Sequence, residues 1–554
     1  MYRRGDTAWS PVFFGFFIYC IKFPQTETIS FGRRRFMLKK WIKKINGLKK
    51  NGCETAEDTK KTAISKNLEK NIEALRTLTG NSNDIVIRQF SAGGRAAAVI
   101  YTDGLSDSDI IEGSIIKMLM YGTQTKEIRT AQDIAEQLIV ASEVKSAVYL
   151  EEIAAGFLSA DAALLCDGFQ TGFIINAKGF EKRSVDTPQT DSVIRGAREA
   201  FIENMRTNTA LIRRRIKSPA LTAEGMKAGR KTKSDITLMY LRDVVNPNLP
   251  KLIKERISKM DIDGILDSGY IQQFLEDNQK SVFSTVGSTE KPDIAAAKIL
   301  EGRVAVIVDG SPFVLTAPMY FEESFQSPED YYIHPVSATL QRIIRYLSFF
   351  ISILALPGYV ALTSFHHEMI PMNLLFTMAE ANAGTPFPSI VDAFLMIVVF
   401  EILKEAGVRL PKPVGQAVSI VGALVIGETA VSAGLIGAPM VIAVAITAVT
   451  AFATPNLTNA IVVIRYVLLF LAAFMGGFGI TLGLLALFVH LSSLRSFGTP
   501  FLAPFVPVRL GDLKDSVWRV PLRLMLTRPE KLSKTNPVRQ KYSAPPEVNG
   551  DEKN

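Results

Sequence analysis

The spacing of apolar residues changes character along the chain. "TAISKNLEKNIEALRTLTG" (62–80) sets Ile64, Leu68, Ile72, Leu75 and Leu78 on one helical face, and Gly80 ends the helix. "AAAVIYTDGLSDSDIIEGSIIKML" (96–119) predicts a strand, a turn and a helix. "TLMYLRDVVNPNLPKLIKERISKM" (237–260) predicts the same order about 139 residues later. "LLCDGFQTGFII" (164–175) is strand, Asp-Gly turn, strand, and "VIVDGSPFVLTA" (306–317) repeats it about 142 residues on. Two matched orders at nearly one offset predict two similar α/β subdomains in tandem, 62–185 and 190–320. The match lies in the order of elements more than in residue identity. In "SVIRGAREAFIENMRTNTALIRRRIKSP" (192–219), Ile194, Ala197, Phe201, Met205, Ile212 and Ile216 recur at helical spacing, predicting an amphipathic helix or helix pair.

Beyond residue 344 the alternation gives way to long apolar runs. "RYLSFFISILALPGYVALTSF" (345–365) holds about 20 mostly apolar residues, enough to cross a bilayer. "FPSIVDAFLMIVVFEIL" (387–403) is a shorter span carrying Asp392 and Glu401. "VGQAVSIVGALVIGETAVSAGLIG" (414–437) has Glu428 near its middle, and "APMVIAVAITAVTAFATP" (438–455) is uncharged. "IVVIRYVLLFLAAFMGGFGITLGLLALFVHL" (461–491) is longer than one span needs, with Gly476, Gly477 and Gly479 breaking its centre. The expectation is an all-α, multi-pass membrane domain over 345–491 with four to six segments. A linker (321–344) precedes it and a basic cytoplasmic tail (492–554) follows, its end from 531 on disordered. Arg342 and Arg345 precede the first span, Lys404, Arg409 and Lys412 follow the second, and Arg495, Arg509, Arg519 and Arg523 follow the last. The positive-inside rule puts all three groups in the cytoplasm and the loop 364–386, which has no Lys or Arg, outside. Four simple crossings satisfy this. The fifth stretch must then start and end inside, bent at its glycines, unless one span is misassigned.

Composition adds limits. The chain has 554 residues, a formal net charge of +9 and a mean hydropathy of +0.18, so more than one domain is expected. Cys20, Cys53 and Cys166 are too scattered for a disulfide framework or a CxxC metal site, and four histidines make a His-rich centre unexpected. Residues 1–61 form a basic N-terminal extension. "PVFFGFFIYCI" (11–21) suits a signal-peptide core, but no clear small-residue cleavage site follows. Translation is expected to start at Met37, where "MLKKWIKKINGLKK" gives a basic amphipathic beginning.

No P-loop, no GxGxxG after a strand, no HExxH and no GxSxG is present. No enzyme, cofactor or metal site is therefore expected, and the candidates are polar groups for gating or an ion path. In "TSFHHEMIP" (363–371), His366, His367 and Glu368 are consecutive, pointing about 100° apart in a helix, so they do not converge on a metal by themselves. The stretch reads either as a polar outer loop or as a gate beside an ion path. Glu428 is the stronger candidate, because an unpaired carboxylate deep in a bilayer is costly. It would face the bundle interior, water or a partner, or hold a structural hydrogen bond. Asp392 and Glu401 are nine residues apart and face opposite ways on a straight helix. Gly422, Gly427, Ala430 and Gly434 permit close helix packing. The cluster Arg213, Arg214, Arg215 and Lys217 reads as a solvated helix end whose charge suits the dipole. Without aromatic interleaving, no nucleic-acid partner is expected.

Several long motifs resemble one family. They are "RGAREAFIENMRTNTALIRRRIK" (195–217), "MDIDGILDSGYIQQFLED" (260–277), "VIVDGSPFVLTAP" (306–318), "SPEDYY" (327–332), "ALTSFHHEMIP" (361–371) and "FEILKEAGVRLPKPVGQAVSIVGALVIGETAVSAG" (400–434). Over about 62–525 the chain resembles the A subunit of the nutrient germinant receptors of endospore-forming bacteria, the GerA spore germination family. The resemblance implies a subunit of a complex with a transporter-like B and a lipoprotein C partner, in the spore inner membrane, its N-terminal domain toward the core. It also implies an oligomer of this chain, embedded in lipid, as a nutrient-gated ion channel. The first 36 residues depart from the family's usual start, and the motifs do not assign pore-lining residues.

Overall fold

The structure, a computed structural model, describes residues 61–540 except 93, 123–142, 180–187, 189–192, 194, 412–426, 510 and 534. The chain divides into the units Met1–Lys60 and Lys61–Asn554. The expected signal-like run and the Met37 start lie outside the described residues.

Asn67 begins the first layer. Its side chain accepts from Lys70 N and starts α1 (Leu68–Thr79), which Gly80 ends at φ 67°. Leu68, Ile72 and Leu75 are buried along the expected face. β1 (Ile85–Ala92) and β2 (Arg95–Thr102) then pair antiparallel, Ile85 opposite Thr102. A helical stretch, α2, follows as Ser108–Ile110, a π turn Ile111–Ile116 and Lys117–Gly122. β3 (Val144–Ala147), α3 (Leu150–Phe157), β4 (Ala162–Cys166) and β5 (Gly172–Ile175) complete a five-stranded antiparallel sheet of order β1-β2-β4-β5-β3.

The second layer repeats the first. α4 (Met205–Arg215), β6 (Leu221–Ala228), β7 (Ser234–Leu241), α5 (Asn248–Ser258), α6 (Ser268–Leu275), β8 (Gly287–Thr289), α7 (Pro292–Leu300), β9 (Val304–Val308) and β10 (Val314–Ala317) give the sheet β6-β7-β9-β10-β8. β7 starts 139 residues after β2, and β9 starts 142 after β4. Side-chain devices repeat as well. Asn204 accepts from Thr207 N as Asn67 does from Lys70 N. Asn71 bridges Ser65 N and O at 2.8 and 2.7 Å, and Asn208 bridges Ile202 N and O at 2.9 and 2.5 Å. Asp167 and Asp309, the acids of the Asp-Gly turns, accept from the first helical N–H of α1 and α4. Each sheet is covered on both faces. α2 packs on one face of the first sheet, α1 and α3 on the other; α5 and α6 cover one face of the second, α4 and α7 the other. This is why β4 and β9 are buried at every position, each large aliphatic side chain contributing about 1.5–3 kcal/mol.

The predicted helix over 192–219 is corrected. Only α4 is helical; described residues from 195 to 204 are not. Phe201 N donates to Glu290 O at 2.7 Å, so an extended segment buries Ala200 and Phe201, and the helix starts where Asn204 can cap it. The basic cluster is corrected too. Arg213 is 0 % exposed and donates to both Asp84 oxygens at 2.9 Å, joining the second layer to the first. Arg214 and Arg215 share Glu199, and Lys217 alone is exposed.

A helical bundle follows. α8 (Pro335–Ser364), 30 residues and about 45 Å long, packs against α10 (Ser389–Arg409), α11 (Ala438–Ala451) and α12 (Thr458–Ser493). The stretch 364–386, expected as a loop, contains helix α9 (Met372–Ala383). Most of the predicted span 414–437 lies outside the described residues; 427–432 are helical. α12 is not straight. Gly476 has φ 58° and ψ −139°, and the chain reverses there. A Cβ on Gly483 would sit 2.6 Å from Leu468, fifteen residues earlier, a separation of about 22 Å along a straight helix. The two arms therefore lie side by side, and both their ends, Ile461 and Leu491, join one core with Phe283, Phe321 and Phe325 beside the second sheet. The tail then returns to that sheet through β11 (Arg495–Ser496) and β12 (Thr499–Pro500). The described residues of 531–540, a stretch expected to be disordered, are held: Leu532 is buried with Tyr320 and Ala503, and Thr527 pairs with Val538. Residues 541–554 lie outside the described residues.

Candidate functional site

Two polar places stand out, the root of α8 and the interior of the bundle. At the root, Arg342 is 0 % exposed. Its Nε donates to Asp330 Oδ2 at 2.8 Å, and its Nη1 donates to Asp515 Oδ1 at 2.9 Å and to the Asp515 and Ser516 carbonyls. Arg345 reaches the same Asp330 at 2.9 Å, and Tyr331 Oη donates to Asp515 Oδ2 at 2.8 Å. A buried charge is tolerated only when paired in this way. The two arginines that marked the cytoplasmic flank in the sequence thus tie α8 down: Arg342, buried, to the turn Pro328–Tyr331 and to the tail, and Arg345, half-buried, to the same turn.

An apolar hub lies beside the clamp. Phe321 meets Phe283, Phe325, Phe349 and Phe501 at centroid distances of 5.2–6.0 Å, edge to face. These rings come from the second layer, α8 and the tail. The return arm adds His490, whose Nε2 lies 3.0 Å from Ser281 Oγ. Next to the hub, Arg303 pairs with Glu323 at 2.9 Å and with Glu301 at 3.4 Å. Glu322 takes a hydrogen bond from Ser516. Burial, with Glu323 and Asp515 adding to it, pushes its carboxyl up to about 8.

In the bundle, the six candidate residues do not converge. His366 Nε2 accepts from Gly477 N at 3.1 Å, so it caps the return arm of α12, while His367 and Glu368 are exposed beyond it. Asp392 is buried in the first turn of α10. Glu401 accepts from Lys404 at 2.7 Å and from Arg465 at 3.4 Å. Glu428 is exposed on the outside of the bundle. Arg465 went unnoticed in the sequence reading. It is 1 % exposed and also donates to Ser352 O at 3.1 Å, binding α12 to α8 and α10. A lone arginine inside the apolar run 461–475 was the available signal, since such a charge needs a partner. Asp330 and Asp515 carried no comparable signal, because acids in polar stretches are ordinary.

The profile described as "Bacillus/Clostridium GerA spore germination protein" matches residues 73–531. The chain belongs to the GerA spore germination family. It is 44% identical over 496 residues to spore germination protein KA of Bacillus subtilis, covering 89% of this chain and 91% of that one. It is 41% identical to the uncharacterized membrane protein YfkQ of Bacillus subtilis, covering 87% and 94%. It is 36% identical to spore germination protein GerLA of Bacillus cereus, covering 86% and 98%. Among solved structures, the crystal structure of the N-terminal domain of the A subunit of the Bacillus megaterium spore germinant receptor GerK3 is 34% identical. It covers 47% of this chain and 98% of that one, at a TM-score of 0.38.

Proposed function

We propose that this chain is the membrane-embedded A-type subunit of a spore nutrient germinant receptor, coupling germinant sensing to ion release. The observation that carries the reading is the reversal at Gly476 inside a bundle with an apolar exterior. Leu347, Phe350, Leu395, Ile402, Val449, Phe470, Phe474 and Phe488 are all exposed, as lipid-facing side chains are. Among the described residues, Pro335–Ser364 and Pro455–Ser493 are the two helices long and apolar enough to cross a membrane; Ala438–Ala451 is apolar but shorter. The reversal returns α12 to the side of the sheets, which favours a multi-pass domain in the spore inner membrane with the sheets on the core side. Arg342, Arg345, Lys404 and Arg409 at that end fit the positive-inside rule.

In this reading the sheets assemble and couple, and the clamp and aromatic hub pass their movement to α8 and to both ends of the α12 hairpin. B-type and C-type subunits are the partners, with germinant bound elsewhere in the complex. Several copies of this chain would enclose the ion path. Glu428, outside one copy, would then face a neighbouring copy or the path, where a carboxylate is affordable. His366 at the hairpin tip, with His367, Glu368, Asp392 and Glu401, would tune gating. A second reading, a non-conducting scaffold for the other subunits, is favoured by the pairing of Glu401 with Arg465, which leaves that acid occupied by structure.

Ion flux through the purified chain in liposomes separates the two, since a scaffold passes none. Germinant-triggered potassium release from spores carrying Glu428→Gln, with subunit levels checked by immunoblot, tests the residue itself. Loss of release at normal subunit levels is the expected result. Normal release removes Glu428 from the path.

A further inference from the structure

A cavity of about 40 Å³ lies between the second layer and the tail. Its walls carry five cationic side chains: Arg303, Arg509, Lys514, Lys531 and Arg539. They also carry four carboxyls: Glu301, Glu322, Asp512 and Asp515. Arg303 is 5 % exposed. Its two Nη atoms are taken by Glu301 and Glu323, and its Nε has no partner among the described residues. Arg509 gives Nη1 to Glu530 at 2.8 Å, and its Nε is likewise without a partner among the described residues. A buried guanidinium N–H left unpaired is costly, so two such donors on one cavity call for an acceptor.

The open groups say which kind. Both are guanidinium N–H donors, which offer hydrogen to an acceptor and repel a metal cation, so they favour an anion. The volume exceeds the roughly 10–15 Å³ that one water needs, which leaves room for a small ion. We propose that this cavity binds a small oxyanion, of the phosphate or carboxylate class, through the Nε–H groups of Arg303 and Arg509. Asp515 lines the same cavity and clamps Arg342. The bound anion therefore joins β9, the tail and the root of α8 into one charged network.

The test titrates inorganic phosphate, and separately acetate, into the full chain purified in detergent, against sodium chloride at matched ionic strength. Thermal unfolding is the readout. A saturable rise in Tm with phosphate, acetate or both is expected, and chloride gives none; which anion works identifies the class. Arg509→Gln should weaken the response about tenfold, the loss of one charge-assisted hydrogen bond. It should leave the anion-free Tm nearly unchanged, because its partner Glu530 is exposed. Arg303→Lys keeps a charge opposite Glu301 and Glu323, removes the Nε–H and should weaken binding similarly. Equal curves in phosphate, acetate and chloride, or an Arg509→Gln response like that of the unmodified chain, overturn the proposal.

Discussion

In the first layer, Asn71 holds Ser65, Asp167 holds the start of α1, and the sheet runs β1-β2-β4-β5-β3. In the second, Asn208 holds Ile202, Asp309 holds the start of α4, and the sheet runs in the equivalent order. Their outward ties differ. The buried tie of the first layer is to the second, through Arg213 and Asp84, with Asn83 N donating to Ala223 O at 2.9 Å beside it. The second layer is also bound to the bundle. Asp277 accepts from Phe497 N at 2.8 Å, Ser496 Oγ donates to Thr285 O at 2.6 Å, and Arg256 stacks over Phe497. One repeated unit has been given two jobs. In the proposed function the second would be the transmission element, and the first would reach the helices through it.

The largest effect is expected at the joint between layers. Arg213→Ala should cost about 3–5 kcal/mol, since it leaves the Asp84 carboxylate buried alone; urea unfolding of the full chain measures it. A double change to apolar residues, Arg213→Met with Asp84→Leu, should recover much of that loss. If the single change costs under 1 kcal/mol, the pair is not the joint.

The repeat itself is sharpened by Asn71→Ala and Asn208→Ala. Each strands one N–H and one C=O of the loop before its helix, at about 1–3 kcal/mol apiece. Similar losses would show that the two layers use the device alike. A loss in only one would show that the other has outgrown it.

Glu322 belongs to the second layer's connection alone, and pH separates it. Its carboxyl is raised from 4.5 to about 8 in the folded chain, so between those values the folded state holds more protons than the unfolded one. Stability should therefore fall as pH rises from about 5 to 8 and level off above. Glu322→Gln should flatten that slope and be the more stable form above pH 8, by several kcal/mol at most, on the order of 1.4 kcal/mol for each pKa unit of the shift. Thermal unfolding across pH 5–9 reads it, and parallel slopes would remove Glu322 as the cause.

The smallest effect is expected at His490→Phe, which keeps the ring beside Phe283 but loses the bond to Ser281. A cost of about 0.5–1.5 kcal/mol is expected. Proteolysis of the 277–285 segment, faster than in the unmodified chain, would report that loosening.

Much of this was legible in the chain itself. Helical spacing, the Asp-Gly turns and their offsets of 139 and 142 residues are local patterns, set by backbone geometry within a few residues, so α1, β2, β4, β7, β9 and their order could be read directly. Long apolar runs likewise announced the helical half, and the motifs announced the family. What local pattern could not carry was partnership. Arg213 and Arg342 read as surface charge because nothing nearby in sequence shows that Asp84 and Asp515, 129 and 173 residues away, arrive to neutralise them. His366 read as a loop residue because only the reversal at Gly476 brings a bare helix N–H to its ring. Which face each element buries follows from the order of its own side chains. Which charge is satisfied, and by whom, depends on distances between segments far apart in the chain, and those exist only once the layers and the bundle have closed on one another.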